Sequence, residues 1–363
     1  MSYCVFARKY RPQSFKDIIG QKHIVTAICN SFSLNRIHHA WLFSGTRGIG
    51  KTTIARLLAK SLNCITGITS NPCRKCANCI EIEKGLFLDF IEVDAASRTK
   101  VEEIKEILDN VYYSPIKGRF KIYLIDEVHM LSRHSFNAFL KILEEPPKHI
   151  KFILATTEIN RIPNTIISRC LHFHLNILSS KKIFYFLKNI LAKENINTDD
   201  YALKTIANYS EGSARDALNL IEKAISLGNN SINKKDVIKM LGLPSQKKIF
   251  SITCEILKKD TKKTMILLKK ISNKIVEWEK ILIEILRCLH YIAMIKLFPL
   301  ISDEKYIEDH KIKIDDIVNI TNKSDISLCY HIISTGRKEL PFSPDPKIGT
   351  EMIILRAIRK IEK

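Results

Sequence analysis

No stretch of this chain is apolar enough to cross a membrane as a helix. The most apolar run, Ile281 to Leu300, is interrupted by Glu284, Arg287, His290 and Lys296, where a span needs about 20 predominantly apolar residues. The N-terminus carries Arg8, Lys9 and Arg11 and lacks the apolar core of a secretory signal. Internal repeats and low-complexity segments are absent as well. With 45% hydrophobic and 26% charged residues, the composition excludes a disordered, collagenous or fibrous chain. What remains is a cytosolic globular protein, and 363 residues suggest roughly two to three domains.

Acidic residues are also in short supply. Lys and Arg number 58 against 38 Asp and Glu, a net charge of +20. Such a surplus favours an acidic partner, nucleic acid first, although the bias toward Ile, Lys and Asn that an AT-rich genome imposes produces the same excess. The surplus is evenly spread, 25 basic against 15 acidic residues over 1–177 and 33 against 23 over 178–363. There is no basic arm, so a nucleic-acid surface has to be assembled by folding.

Over the first half, short apolar runs alternate with helical patterns, as in βαβ units. The expected strands are His39–Ser44, Leu88–Asp94, Lys121–Asp126, Phe152–Thr157 and Leu171–Leu175. Each reads as a nearly continuous Val/Ile/Leu/Phe run, the pattern of a parallel strand buried on both faces. Helices are expected at Thr52–Leu62, Lys100–Asn110 and Ser135–Leu143, the last stopped by Pro146-Pro147. Strands are expected to end at Leu175, with a linker at Leu178–Ser180. Helical patterns follow at Lys181–Glu194, Asp200–Tyr209, Ser213–Leu227 and Lys234–Leu241, and a break at Leu243-Pro244-Ser245 precedes a last helical region. The division is an α/β domain over 1–178, a small helical domain over 179–243 and a second helical domain over 244–363.

Gly45-Thr46-Arg47-Gly48-Ile49-Gly50-Lys51-Thr52 fits the phosphate-binding pattern G-x-x-x-x-G-K-[ST]. Glycines let the backbone N–H groups turn toward phosphates. Lys51 reaches the β- and γ-phosphates, the Thr52 hydroxyl suits Mg²⁺, and the following helix directs its positive end at the anion. The expected strand before the loop and helix after it argue against a mere glycine turn. Ile122-Tyr123-Leu124-Ile125-Asp126-Glu127 is an apolar strand ending in two carboxylates, a Walker B pattern. Asp126 suits the metal, and Glu127 suits orienting and polarising a water. Thr156-Thr157 end the next strand with hydroxyls placed to sense a γ-phosphate or position water. Arg169, in Ser168-Arg169-Cys170, precedes the last strand and suits either a surface ion pair or an arginine finger reaching a neighbouring subunit.

Four of the ten cysteines, Cys64, Cys73, Cys76 and Cys79, crowd into sixteen residues. Four thiolates at that spacing in a reducing compartment suit a closed, structural tetrahedral zinc site. An iron–sulfur cluster is the chemical alternative. The other six cysteines read as small core residues.

Taken together, these segments resemble the gamma/tau subunits of bacterial DNA polymerase III, the ATPase motors of the sliding-clamp loader. The likeness runs through Ala7-Arg8-Lys9-Tyr10-Arg11-Pro12-Gln13-Ser14-Phe15, Ile37-His38-His39-Ala40, the phosphate loop, and Asp94-Ala95-Ala96-Ser97-Arg98-Thr99-Lys100. It continues through Leu124-Ile125-Asp126-Glu127-Val128-His129-Met130-Leu131-Ser132, Leu143-Glu144-Glu145-Pro146-Pro147 and Gly336-Arg337-Lys338-Glu339-Leu340-Pro341. The resemblance implies an AAA+ fold: an α/β ATPase domain with a five-stranded parallel sheet and a zinc knuckle at about 64–79, a helical lid, and a helical collar. It implies ATP and Mg²⁺ at the phosphate loop, and a heteropentamer with delta, delta-prime and further copies of the chain. That assembly would load a sliding clamp on primed DNA in the nucleoid-associated replisome. It makes Arg169 a finger acting in trans and Arg215, in Glu211-Gly212-Ser213-Ala214-Arg215-Asp216, the lid's sensor, and it places Arg11 and Pro12 at the adenine. Arg98, Lys100, Lys105 and Lys141 are candidates for DNA phosphates, each equally readable as a solvated helix face. The resemblance, with the last residue at Lys363, implies a gamma-type product, expected to lack the C-terminal segments by which the longer tau form binds helicase and polymerase. No polymerase active site is visible, so ATP hydrolysis is the chemistry expected, although the family is grouped with DNA-directed DNA polymerase. Another AAA+ DNA-processing motor, such as a branch-migration motor, is the alternative within the class. A non-hydrolysing scaffold like delta-prime lies outside it; the intact Lys51, Thr52, Asp126 and Glu127 argue against that reading.

Overall fold

A computed structural model describes residues 5–97, 110–229, 231–244, 246–272, 277–297 and 321–362. Two compact units divide the chain, Met1–Lys234 and Lys235–Lys363. The expected helix at Lys100–Asn110, with Arg98, Lys100 and Lys105, lies outside the described residues apart from Asn110, which opens a short 3-10 turn.

The first unit holds α1 (Lys22–Ser33), β1 (Ala40–Ser44), α2 (Lys51–Asn63), α3 (Ala77–Lys84), β2 (Phe90–Asp94), β3 (Lys121–Asp126), α4 (Arg133–Glu144), β4 (Ile150–Thr156) and β5 (Leu171–His174). The five strands form one parallel sheet in the order β2-β3-β4-β1-β5. Alternate residues pack on opposite faces. Trp41, Phe43, Leu124 and Ile153 meet Ile54, Leu57 and Leu58 of α2 on one side. Leu42, Tyr123, Ile125, Phe152 and Leu154 meet Phe136, Phe139 and Ile142 of α4 on the other. This two-sided burial is why β1 and β4 are buried at every position. The expectation of burial on both faces fails for the two edge strands. β5 is exposed at three of its four residues, and β2 is buried only at Phe90 and Val93, because no further strand among the described residues pairs with their outer sides.

The lid region comprises α5 (Ser180–Lys193), α6 (Asp200–Tyr209) and α7 (Ala214–Leu227). Strand pairing does not end at Leu175 as expected: β6 (Asn197–Thr198) pairs in parallel with β7 (Ser231–Ile232). The expected linker at Leu178–Ser180 is also structured. Leu178 is buried and donates its N–H to Gly212 O, and Ser179 caps α5 by accepting from Lys182 N–H.

After α8 (Lys234–Met240), the second unit is built of α9 (Gln246–Leu257), α10 (Thr261–Ser272), α11 (Trp278–Leu297), α12 (Lys323–Glu339) and α13 (Pro346–Glu362). The apolar run that began at Ile281 is the buried face of α11: Ile281, Leu282, Ile285, Leu289 and Ile292 meet Ile333, Ile354 and Ile358. No described helix is long and apolar enough to cross a membrane. Cys254, Cys288 and Cys329 are buried as expected of core cysteines, whereas Cys29 and Cys170 are only half-buried.

Candidate active site

Ligands of open parallel sheets bind outside the carboxyl ends of the strands, and a cavity of about 830 Å³ lies there. The strand order decides what meets in it. β4 separates β1, which ends in the glycine loop, from β3, which ends in Asp126-Glu127.

The loop needs backbone that only glycine adopts without strain. Gly45, Gly48 and Gly50 have φ of +140°, +79° and +110°. Gly48 also needs the missing side chain, because a Cβ there would fall 2.1 Å from the Ser213 hydroxyl at the start of α7. The lid thus packs directly on the loop, and Arg215 donates its N–H to Gly48 O at 3.3 Å. Lys51 opens α2 and is buried; its ammonium donates to Gly45 O at 2.7 Å and Thr46 O at 3.1 Å. Burial lowers its pKa, while Glu127 and Asp126 oppose the shift. Thr52 donates its hydroxyl to Asp126 Oδ2 at 2.8 Å. Two oxygen ligands suited to a divalent cation are therefore together, although 74 positions separate them in sequence.

Glu127 sits in the left-handed region at φ 49° and ψ 46°. Its carboxylate Oε2 accepts from Thr157 N–H at 3.1 Å and Thr157 Oγ1–H at 3.0 Å. Thr156 and Thr157 do not line the cavity. Thr156 is fully buried, with Oγ1 accepting from Glu158 N–H at 3.0 Å and lying 3.0 Å from His129 Nδ1. Its hydroxyl is thus engaged in the protein interior with His129 and Glu158.

Arg11, Pro12 and Arg215 line the cavity along with Arg47 to Thr52, Asp126 and Glu127. Sequence reasoning missed Arg8, Arg56, Lys84 and Asp94, which line it too. One signal was readable: Arg56 follows Thr52 by four residues and shares its helix face. Seven basic side chains against three acidic ones line the cavity, a surplus that attracts a polyanion. Burial lowers the pKa of Arg11, and the repulsion of Arg56 adds to that against the pull of Glu92. Arg169 lies elsewhere: its guanidinium donates to Thr165 O and Glu144 Oε1, both at 2.7 Å. Lys141 is exposed on α4.

The cysteine cluster continues directly from α2, with Cys64 as the residue that ends the helix. The four sulfur atoms of Cys64, Cys73, Cys76 and Cys79 lie within 4.8 Å of one another. Tetrahedral zinc with bonds of about 2.3 Å places sulfurs roughly 3.8 Å apart, so the set fits with small adjustment. Backbone N–H groups already point at sulfur: Cys73 N to Cys64 Sγ and Cys76 N to Cys73 Sγ at 3.4 Å, and Cys79 N to Cys76 Sγ at 3.5 Å. Burial pushes the Cys64 thiol up, but hydrogen bonds from Cys73 and Thr66 outweigh it and bring it down to about 6. Burial pushes Cys79 strongly the other way. A bound cation relieves that penalty by pairing the buried thiolate with positive charge.

Three family descriptions match in succession. Residues 20–179 match DNA polymerase III, delta subunit; 182–230 match the DNA polymerase III clamp loader subunit, ATPase lid domain; and 232–362 match DNA polymerase III subunits gamma and tau domain III. The chain is 64% identical over 361 residues to DNA polymerase III subunit gamma of Buchnera aphidicola subsp. Acyrthosiphon pisum (strain APS), covering 99% of this chain and 100% of that one. It is 51% identical over 360 residues to DNA polymerase III subunit tau of Escherichia coli (strain K12), covering 99% of this chain and 56% of that one. A third relative, DNA polymerase III subunit tau of Bacillus subtilis (strain 168), is 35% identical over 360 residues, which are 98% of this chain and 63% of that one.

Proposed function

Because the chain belongs to the gamma/tau family of DNA polymerase III subunits, we infer that it is the ATP-driven motor subunit of the clamp loader. It hydrolyses ATP and acts in an assembly with other clamp-loader subunits and the sliding clamp. The observation that carries the chemical reading is the 2.8 Å bond between Thr52 and Asp126, in one cavity with Lys51 and Glu127.

The site residues take these roles. N–H groups from Gly45 to Thr52 cradle the phosphates, and Lys51 releases Gly45 O and Thr46 O to pair with the β- and γ-oxygens. Thr52 and Asp126 hold Mg²⁺, which neutralises charge on those oxygens when bound. Glu127 takes the proton of the attacking water, and Thr157 fixes its carboxylate. Arg11 and Pro12 border the adenine. Arg215, on the lid helix that rests on Gly48, reports phosphate to the lid. Arg169 serves a neighbouring subunit's ATP, exchanging its bond to Glu144 for the γ-phosphate. Cys64, Cys73, Cys76 and Cys79 hold a structural zinc. Residues 179–243 act as lid and 244–363 as the collar that joins the chain to delta, delta-prime and further copies of itself. Primed DNA is held through phosphates by Lys141 and by Arg98, Lys100 and Lys105, and the protein works in the cytoplasm at the replisome.

The deciding assay is ATP hydrolysis by the reconstituted assembly with and without clamp and primed DNA. Hydrolysis that neither clamp nor DNA stimulates would refute the clamp-loading role.

A further inference from the structure

One buried ionisable side chain beside the site has no role in the scheme above. His129 lies on the 3-10 turn Val128–Met130 directly after Glu127, and its side chain is 6% exposed. Its two nitrogens face different groups. Nδ1 is 3.0 Å from Thr156 Oγ1 and 3.5 Å from Glu127 Oε2. Nε2 is 3.7 Å from Glu158 Oε1, and Glu158 pairs in turn with Arg161 at 2.8 Å.

The tautomer follows from these contacts. If Thr156 donated its proton to Nδ1, the nitrogen's lone pair would face Glu127 Oε2 at 3.5 Å, whereas the carboxylate near Nε2, Glu158 at 3.7 Å, is half exposed to water and already paired with Arg161, so a bare nitrogen is repelled less there. With the proton on Nδ1, the N–H donates to Thr156 Oγ1 at 3.0 Å, and Glu127 Oε2 lies 3.5 Å from the same nitrogen. Thr156 has room for this, since a hydroxyl accepts two hydrogen bonds and, among the described residues, only Glu158 N–H is otherwise directed at it.

We propose that His129 is a positioning residue for ATP hydrolysis: its Nδ1–H, steadied by Thr156, backs Oε2 of Glu127 so that Oε1 is the oxygen turned to the attacking water. This rests on Glu127 being the base of the reading above. Oε2 already takes both bonds from Thr157, and Oε1 has no hydrogen-bond partner among the described residues. The left-handed backbone of Glu127 is strained for a residue with a side chain and persists only when its surroundings hold it. A carboxylate fixed at one oxygen loses little freedom when the other meets water, which is how orientation lowers a barrier.

Two amide substitutions separate positioning from packing. Asn carries its amide at the distance of Nδ1 and keeps a donor toward Glu127; Gln carries it at the distance of Nε2 and keeps only the contact toward Glu158. In the clamp-loader complex with primed DNA, His129→Asn should hold kcat within about threefold of the parent. His129→Gln should lose about tenfold or more, the scale of losing the buried Nδ1–Thr156 hydrogen bond that keeps the proton beside Glu127. KM for ATP should stay within about twofold in both, and Thr156→Val should reproduce the Gln loss by removing the support of Nδ1. Equal kcat for the Asn and Gln variants, or a rise in KM in step with the fall in kcat, overturns the positioning role. If the Gln variant proves unfolded by its thermal midpoint, Thr156→Val decides alone, and parental kcat there overturns the proposal. Glu127→Gln is run alongside. Parental turnover in that variant removes Glu127 as base and this proposal with it; loss of turnover there with parental kcat in His129→Gln removes this proposal alone.

Discussion

Thr157 gives both its backbone N–H and its hydroxyl to a single oxygen of Glu127, at 3.1 and 3.0 Å. The two residues directly follow adjacent strands of the sheet, β4 and β3, so the bond ties the end of the strand beside β1 to the end of the one that delivers the carboxylates. A carboxylate held this way at one oxygen keeps the other for a water.

Binding and chemistry should separate cleanly. Lys51→Ala removes the buried cation of the loop, and ATP affinity should fall by about 10- to 100-fold, the scale of a charge-assisted hydrogen bond. Glu127→Gln keeps the shape and most of the hydrogen bonding, so ATP should bind normally while kcat falls by roughly 10²–10⁴, the worth of a general base. Equilibrium binding and single-turnover hydrolysis read the two effects. Normal hydrolysis in Glu127→Gln would remove it as base.

Gly48→Ala should uncouple the lid from the loop. The new Cβ meets the Ser213 hydroxyl at 2.1 Å and sits on backbone at φ +79°, a conformation that disfavours every residue but glycine by about 1 kcal/mol or more. Expected are a lower thermal midpoint and weaker ATP binding. Parental values for both would show that Ser213 yields without cost.

One zinc per chain is expected in purified protein by elemental analysis. Cys76→Ser should lower zinc occupancy and thermal midpoint, with kcat at 25 °C changed less than about twofold, because the four thiolates fill a tetrahedral shell and leave no position for substrate. Iron with visible absorbance would replace zinc by a cluster, and absence of any metal would end both readings.

Neutralising Lys141 should flatten the salt dependence of DNA binding by the assembled complex by about one unit of log–log slope. ATP binding should not change, since Lys141 is exposed on α4 and does not line the cavity. Identical slopes in variant and parent would remove Lys141 from the DNA surface.

Arg169→Ala should leave ATP binding by the isolated chain unchanged and suppress DNA-stimulated hydrolysis in the complex by about 10³-fold or more. Mixing Arg169→Ala chains with Lys51→Ala chains should restore part of the turnover, because a chain that cannot bind ATP still offers its arginine to a neighbour. Absence of recovery across mixing ratios, with assembly verified by sizing, would exclude action in trans.

The phosphate loop, the Asp126-Glu127 pair and the cysteine set were legible because each is a short segment whose chemistry depends on neighbours in sequence. Glycines, a lysine and a threonine within eight residues already define an anion cradle, and four cysteines within sixteen leave few ways to arrange them. Strand and helix positions were legible for the same reason, since two-sided burial writes continuous apolar runs into β1, β3 and β4. Contacts between distant segments were not. Only the order β3-β4-β1 puts Thr157 against Glu127 and Thr156 against His129, and only the packing of α7 on the loop makes Gly48 obligatory for space as well as for φ. The exposure of β5 follows from its place at the sheet's edge, which its own composition does not encode. Arg8, Arg56 and Lys84 likewise reach the cavity through the folding together of three separate segments. Local chemistry is a property of residues a few bonds apart and can be read along the chain; the partners of each charged group depend on which strand lies beside which, and the tertiary structure decides that.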